Sequence, residues 1–368
     1  MLLSVVIVNY NVRSFLEQCL DSLVQSRGLV FGNDFEIFVV DNRSVDDSAD
    51  MVRSRFPEVK LIVNEENLGF AKANNQAIRL SSGKYVLLLN PDTLVEADTL
   101  KKCLDFMESV PDAGGLGVKM MDGQGRYLKE SKRGITTPST SFYKISGLCR
   151  LFPRSKRFAA YYMGHLSEDE TNSVEILSGA FMMLRRETLD KVGLLDETFF
   201  MYGEDIDLSY RILLGGYKNY YFPRTRIIHY KGESTKKGSL NYVLVFYKAM
   251  EIFAEKYFSQ GKYRFYFFIV RFAIWLRAAL SMAMRVLKRI FFPLLDIVSF
   301  HVALNALSFL WSKLSYGDFF FYPGIYRHLI LPLYALMLVA SNALVHAYRI
   351  PLSLKRCCWG VAGGMAGF

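Results

Sequence analysis

Near-continuous apolar runs punctuate the first ninety residues of this 368-residue chain. Residues 3–8 and 35–40 are rich in β-branched and aliphatic side chains, the pattern of strands buried on both faces, and 59–63 and 85–89 read as a third and a fourth strand. After the first run, Phe15, Leu16, Cys19, Leu20 and Leu23 recur at helical spacing. Helical patterns also cover 45–56, with Ser44 as the expected cap, and 70–80. Strands alternating with helices predict parallel β-α-β units, an α/β fold. Ligands of such sheets bind beyond the carboxyl ends of the strands. Asn9-Tyr10-Asn11, Asp41-Asn42 and Asn90-Pro91-Asp92 each stand where an apolar run stops.

Beyond Lys119 the rhythm changes. Residues 131–170 are rich in Lys, Arg, Tyr, Ser and Pro with little periodicity, and read as a long insertion. A strand over 175–184, a helix over 205–214, a strand over 217–222 and a helix over 240–258 complete this part. From 263 the chain turns hydrophobic. Arg264, Arg271, Arg277, Arg285 and Lys288 recur close to heptad spacing beside aromatic and aliphatic residues, predicting a basic interfacial helix. Residues 291–311 and 329–348 are each apolar over about the 20 residues that cross a bilayer. A further apolar run at 359–368 predicts a third span cut short. The expected organisation is therefore 1–260, 261–290 and 291–368.

Composition sharpens that division. Hydrophobic residues make up 51% and aromatics 15%, and the net charge is +10. After residue 260 there are 12 basic and 2 acidic residues, so all the net charge lies in the most apolar part. That distribution suits anionic headgroups and predicts a membrane partner rather than nucleic acid. Basic flanks at 285–289 and 349–356 predict a cytosolic orientation. The apolar N-terminus has no basic leader and reads as a buried strand, not a signal peptide. Cys19, Cys103, Cys149, Cys357 and Cys358 form no zinc-type spacing and imply a reducing compartment. The catalytic part is expected on the cytosolic side of a membrane.

The polar clusters carry the candidate chemistry. Asp41 at a strand end can accept hydrogen bonds from a base or ribose. Asn67-Leu68-Gly69-Phe70 opens a helix whose free N–H groups suit anions, and Asn74 and Asn75 lie inside that helix where their propensity is poor. Asn90-Pro91-Asp92 offers hard oxygen ligands to Mg²⁺ or Mn²⁺. Glu204, Asp205 and Asp207 follow an aromatic run; three carboxylates in four residues exceed what helix-dipole complementarity needs, so one is expected as a general base. His229 is a further metal-ligand candidate.

The ordered set SVVIVNYN, VVDNRS, NLGFAKANN, LLLNPDT, LSGAFMMLRRE, FFMYGEDIDLSYR and HYKGES resembles the inverting family 2 glycosyltransferases with a GT-A fold. It is closest to their rhamnosyltransferase-like and galactofuranosyltransferase-like members, which build bacterial cell-surface polysaccharides. The resemblance covers about 3–258. It implies that Asp41 contacts the nucleotide, and Asn9, Tyr10, Asn67, Gly69, Asn74, Asn75 and Asn90 are the further donor-binding candidates. It makes Asp92 the carboxylate of the metal motif, with Asn90 replacing the first Asp, and His229 a second ligand of Mg²⁺ or Mn²⁺. Asp205, beside Glu204, takes the position of the base, and Asp207 is expected to anchor its helix through Arg211. The implied reaction moves a sugar from a UDP- or dTDP-sugar to a hydroxyl of a lipid-linked or polysaccharide acceptor at the cytoplasmic face of the bacterial inner membrane. A nucleotidyltransferase would need a glycine-rich basic loop where Asn9-Tyr10-Asn11-Val12 stands. The alternative from another class is a catalytically silent nucleotide- or lipid-binding scaffold.

Overall fold

Burial on both faces makes strands of the apolar runs at 3–8, 35–40 and 85–89, while the run at 59–63 forms a partly exposed edge strand. In the computed structural model, β1 (Leu3–Asn9), β2 (Phe35–Asp41), β3 (Lys60–Val63) and β4 (Tyr85–Leu89) lie in the order β3-β2-β1-β4, all parallel. Alternate residues of β1 enter two different cores. Val5 and Ile7 pack with Leu16 and Leu20 of α1 (Arg13–Val24) and with Met51 and Val52 of α2 (Ser48–Arg55). Val6 and Val8 pack with Ala73 and Ala77 of α3 (Phe70–Leu80). A strand with helices on both sides has no solvent face, so its sequence does not alternate.

The other half of the sheet is mixed. It contains β5 (Thr93–Val95), β6 (Ala113–Met121), β7 (Asn172–Val174), β8 (Phe181–Arg185) and β9 (Lys218–His229). Strand β8 runs antiparallel to β4 and β6, β9 runs parallel to β6, and β5 and β7 run antiparallel to β9. The remaining helices of this half are α4 (Thr99–Ser109), α5 (Pro138–Ile145), α6 (Leu148–Leu151), α7 (Arg186–Val192), α8 (Glu204–Leu214) and α9 (Leu240–Phe258).

Three expectations change. The helix over 45–56 begins at Ser48, because 42–47 form a turn with Arg43 and Asp47 at positive φ. Ser44 closes that turn by donating its N–H to Asp41 Oδ2 (2.9 Å) and caps nothing. The strand over 175–184 is broken: 175–180 leave the sheet between β7 and β8. The strand over 217–222 instead continues to His229, with a register shift against β6 at Pro223, which cannot donate to a ladder.

The structure describes residues 1–230, 240–258, 264–345, 347–348 and isolated positions beyond. These divide into two compact units, Met1–Trp275 and Leu276–Phe368. Helix α10 (Arg264–Tyr316) runs unbroken through the expected junction at 290, with Pro293 inside it, and α11 (Leu331–Leu344) follows. Two helical stretches, Ala279–Tyr316 and Tyr326–Leu344, are long and apolar enough to cross a membrane. The side chains of Arg264, Arg277, Arg285 and Lys288, residues 231–234 of the last motif, the basic flank at 349–356 and most of 359–368 lie outside the described residues.

Candidate active site

A cavity of about 310 Å³ opens at the carboxyl end of the parallel strands. Its walls come from the ends of β1 and β4, the glycine loop before α3, segment 175–180, the start of α8, His229, α9 and the insertion. Eight of the expected site residues line it: Tyr10, Asn67, Gly69, Asn90, Asp92, Glu204, Asp205 and His229.

Register explains the first cluster. Strand β5 pairs with β9 so that Thr93 faces His229, which sets Asp92 beside the imidazole. His229 Nε2 stands 3.3 Å from Asp92 Oδ1 and 3.5 Å from Asn90 Nδ2. Asp92 and His229 are both nearly buried, and the Tyr230 N–H donates to the Asp92 carbonyl (3.0 Å). A hard carboxylate oxygen beside an imidazole fits a divalent ion such as Mn²⁺ or Mg²⁺. Among the described residues no third His, Cys, Asp or Glu joins them.

The glycine loop is set by close approach. Gly69 has φ +82°, and a Cβ there would lie 2.4 Å from the Phe200 carbonyl oxygen. The Phe70 N–H donates to that same oxygen (2.7 Å), tying the NLGF segment to the FFMYGED segment. Asn42, which also lines the cavity, organises the loop: its Nδ2 donates to the Gly69 carbonyl (3.1 Å) and to Asn67 Oδ1 (3.2 Å).

The carboxylates at the start of α8 diverge in role. Asp205 pairs with Arg133, and its oxygens also accept from the Ile206 N–H (2.8 Å) and the Gly179 N–H (3.3 Å). Arg133 is itself held by the Leu177 carbonyl (2.5 Å). Glu204 is buried, and one of its oxygens has no hydrogen-bond partner. Burial, and then the neighbouring Asp205 charge, push its carboxyl up to about 8. Asp207 is fully buried and accepts from Arg211 Nε (2.8 Å), Lys256 Nζ (2.7 Å) and Tyr257 OH (2.6 Å). It anchors α8 through Arg211 as expected, and ties α8 to α9 as well.

The structure does not bring Asn9, Asp41, Asn74 and Asn75 to the cavity. Asn9 Nδ2 donates to Asp41 Oδ1 (2.9 Å) and Ser44 Oγ (3.0 Å), so this buried trio braces the ends of β1 and β2. Asp41 is not left free: its carboxylate closes the turn by accepting the Ser44 N–H, and Ser44 does not cap the next helix as expected. Asn74 donates to the Phe70 carbonyl (2.8 Å) within its helix. Asn75 exchanges hydrogen bonds with the Leu195 backbone and donates to Glu197, fixing the segment that leads to α8. Sequence reasoning missed Arg133, Glu130 and Tyr161, which reach the cavity from the insertion and its approach, and Phe246 and Met250 of α9. The only signal for Arg133 was the basic pair Lys132-Arg133 at the head of an acid-free stretch.

Residues 4–193, half of the chain, match the family model described as Glycosyl transferase family 2. The chain belongs to that family. The transferase is 28% identical over 262 residues to the N-acetylglucosaminyl-diphospho-decaprenol L-rhamnosyltransferase of Mycobacterium tuberculosis strain H37Rv, covering 68% of this chain and 83% of that one. It is 28% identical over 177 residues to the rhamnosyltransferase WbbL of Escherichia coli K12, covering 44% and 61%. Among solved structures, GalNAc-T7 with UDP, GalNAc and Mn²⁺ superposes with a TM-score of 0.52 at 19% identity, covering 73% of the transferase and 50% of that chain. The mixed, mostly parallel sheet with flanking helices is the GT-A fold.

Proposed function

We propose that this glycosyltransferase transfers its sugar with inversion, from a UDP- or dTDP-sugar to a hydroxyl of a lipid-linked or polysaccharide acceptor. Rhamnose heads the candidate sugars, with galactofuranose or a related hexose behind it, because two relatives are named as rhamnosyltransferases. A lipid-linked acceptor is supported by the decaprenol-linked substrate in the mycobacterial relative's name and by the two apolar helical stretches, which would hold the enzyme at the cytoplasmic face of the membrane. The observation that carries the reading is the meeting of the Asp92–His229 pair and the Asp205 carboxylate in one cavity.

The residues divide the work. Burial and the neighbouring Asp205 charge favour the protonated form of Glu204, so the base is assigned to Asp205. Asp205 accepts the proton of the acceptor hydroxyl as that oxygen attacks the anomeric carbon. The bond to the diphosphate oxygen breaks on the opposite face, so one displacement inverts the centre. Arg133 and the Gly179 and Ile206 N–H groups orient Asp205. Tyr10, Asn67 and Gly69 wall the donor side. Asp92 and His229 would hold Mg²⁺ or Mn²⁺, which when bound offsets the charge of the leaving diphosphate.

Asp205→Asn tests the assignment. Removing a general base lowers turnover about 10²–10⁴-fold, while donor binding, read by thermal shift with UDP- and dTDP-sugars, is expected to persist. Equal loss of binding and turnover would show that Asp205 is not the base.

A further inference from the structure

The insertion carries a surface that sugar transfer does not explain. From Ser131 to Leu166 there is no acidic residue, while Lys144, Arg150, Arg154, Lys156 and Arg157 are all basic. Among the described residues none of these five is ion-paired with a carboxylate. Beside them three large apolar side chains face solvent: Phe142 is 61% exposed, Leu151 72% and Phe152 51%. The two phenylalanines belong to one aromatic ridge, since Phe142 contacts Tyr143 (6.0 Å between centroids) and Phe158 contacts both Tyr143 (5.1 Å) and Phe152 (5.3 Å). The ridge is held in place from its basic side. Arg157 Nε donates to Tyr143 OH (3.1 Å), and Lys144 Nζ lies 3.5 Å from the centre of the Tyr161 ring. Tyr161 lines the active-site cavity, and its carbonyl accepts from the Gly134 N–H (3.1 Å), next to Arg133.

We infer that α5, α6 and the residues up to Arg157 form a peripheral membrane-contact surface that seats on an anionic phospholipid bilayer. Exposed aromatic and aliphatic groups ringed by Lys and Arg, with acids excluded, match the headgroup boundary of such a bilayer. A purely electrostatic ligand such as a soluble polyanion gives no reason for Phe142, Leu151 and Phe152 to face outward. Because Lys144 stacks on a cavity-lining ring, seating this surface fixes one wall of the active site at the lipid interface. This contact is additional to any made by the apolar helices and does not depend on which sugar is transferred.

The test uses the full chain in nanodiscs of phosphatidylcholine alone or mixed with phosphatidylglycerol, followed by hydrogen exchange of 142–158. Each basic residue near an anionic surface strengthens seating about fivefold. Exchange there is therefore expected to slow about tenfold or more on adding phosphatidylglycerol, and to recover in high salt. The combined variant Arg150→Ser, Arg154→Ser, Lys156→Ser and Arg157→Ser should lose the response while 3–9 and 35–41 exchange as in the wild type. Equal wild-type exchange in both disc compositions overturns the inference without recourse to any variant. So does protection by heparin in the absence of a phosphatidylglycerol effect, which would make the surface a site for soluble polyanions.

Discussion

Glu204→Gln offers the sharpest test of the electrostatics at the head of α8. The wild-type carboxyl is held up to about 8 by burial and by Asp205, against an ordinary value of 4.5. Between those values the folded chain binds a proton that the unfolded chain has released. Stability therefore falls as pH rises, by up to 1.36 kcal/mol per pH unit, and the loss levels off above about 8. Glutamine is nearly the same shape and never ionises, so its difference from wild type isolates this one group. From the two values, the glutamine variant should gain on the wild type by about 2 kcal/mol between pH 6 and pH 8. At about 2–4 °C per kcal/mol for a domain of this size, the gap in Tm widens by about 4–8 °C. Scanning calorimetry of both proteins across that range reads it directly. A gap that is constant with pH, or that narrows, would refute the argument, because it would mean Glu204 is already ionised in the fold.

The other perturbations act through different contacts. Gly69→Ala places a Cβ 2.4 Å from the Phe200 carbonyl at φ +82°, so a loss of about 1–3 kcal/mol in stability and weaker donor binding are expected by thermal shift. Asp207→Asn deprives Lys256 and Arg211 of a buried charge. A cost near 3 kcal/mol should lower Tm by about 6–12 °C, with any surviving folded enzyme keeping its donor KM. Asp92→Asn and His229→Gln should each raise the Mn²⁺ concentration needed for half-maximal turnover by tenfold or more; unchanged metal response in both would remove that pair from the metal site.

What the sequence made legible follows from distance along the chain. Strands buried on both faces announce themselves locally, and the polar residues at their ends marked where the cavity opens, so Tyr10, Asn90 and Asp92 were readable. The carboxylate cluster at Glu204 and Asp205 was readable because its charge density exceeded any helix-capping need. How these groups are held was not, because it is fixed by register and packing; His229 is named beside Asp92 by the family resemblance and not by the pattern of the chain. His229 reaches Asp92 only because β9 passes Pro223 with a register shift, a continuation that local propensity argues against. Arg133 reaches Asp205 from a stretch with no periodicity to place it. The opposite error befell Asn74 and Asn75. Their poor helix propensity reads as a functional mark, whereas the side chains bond the chain itself, Asn74 to the Phe70 carbonyl and Asn75 to the Leu195 backbone. Polarity inside an apolar pattern thus signals an obligation to a partner, and only the fold says whether that partner is a ligand or the chain itself. At Asp41 the partner is the chain, through Asn9 and Ser44; at Asp205 the single arginine and two N–H groups that hold it come from three different segments, and the carboxylate still faces the cavity. A carboxylate braced from several directions yet open to a ligand is the arrangement that fixes a base for one acceptor geometry.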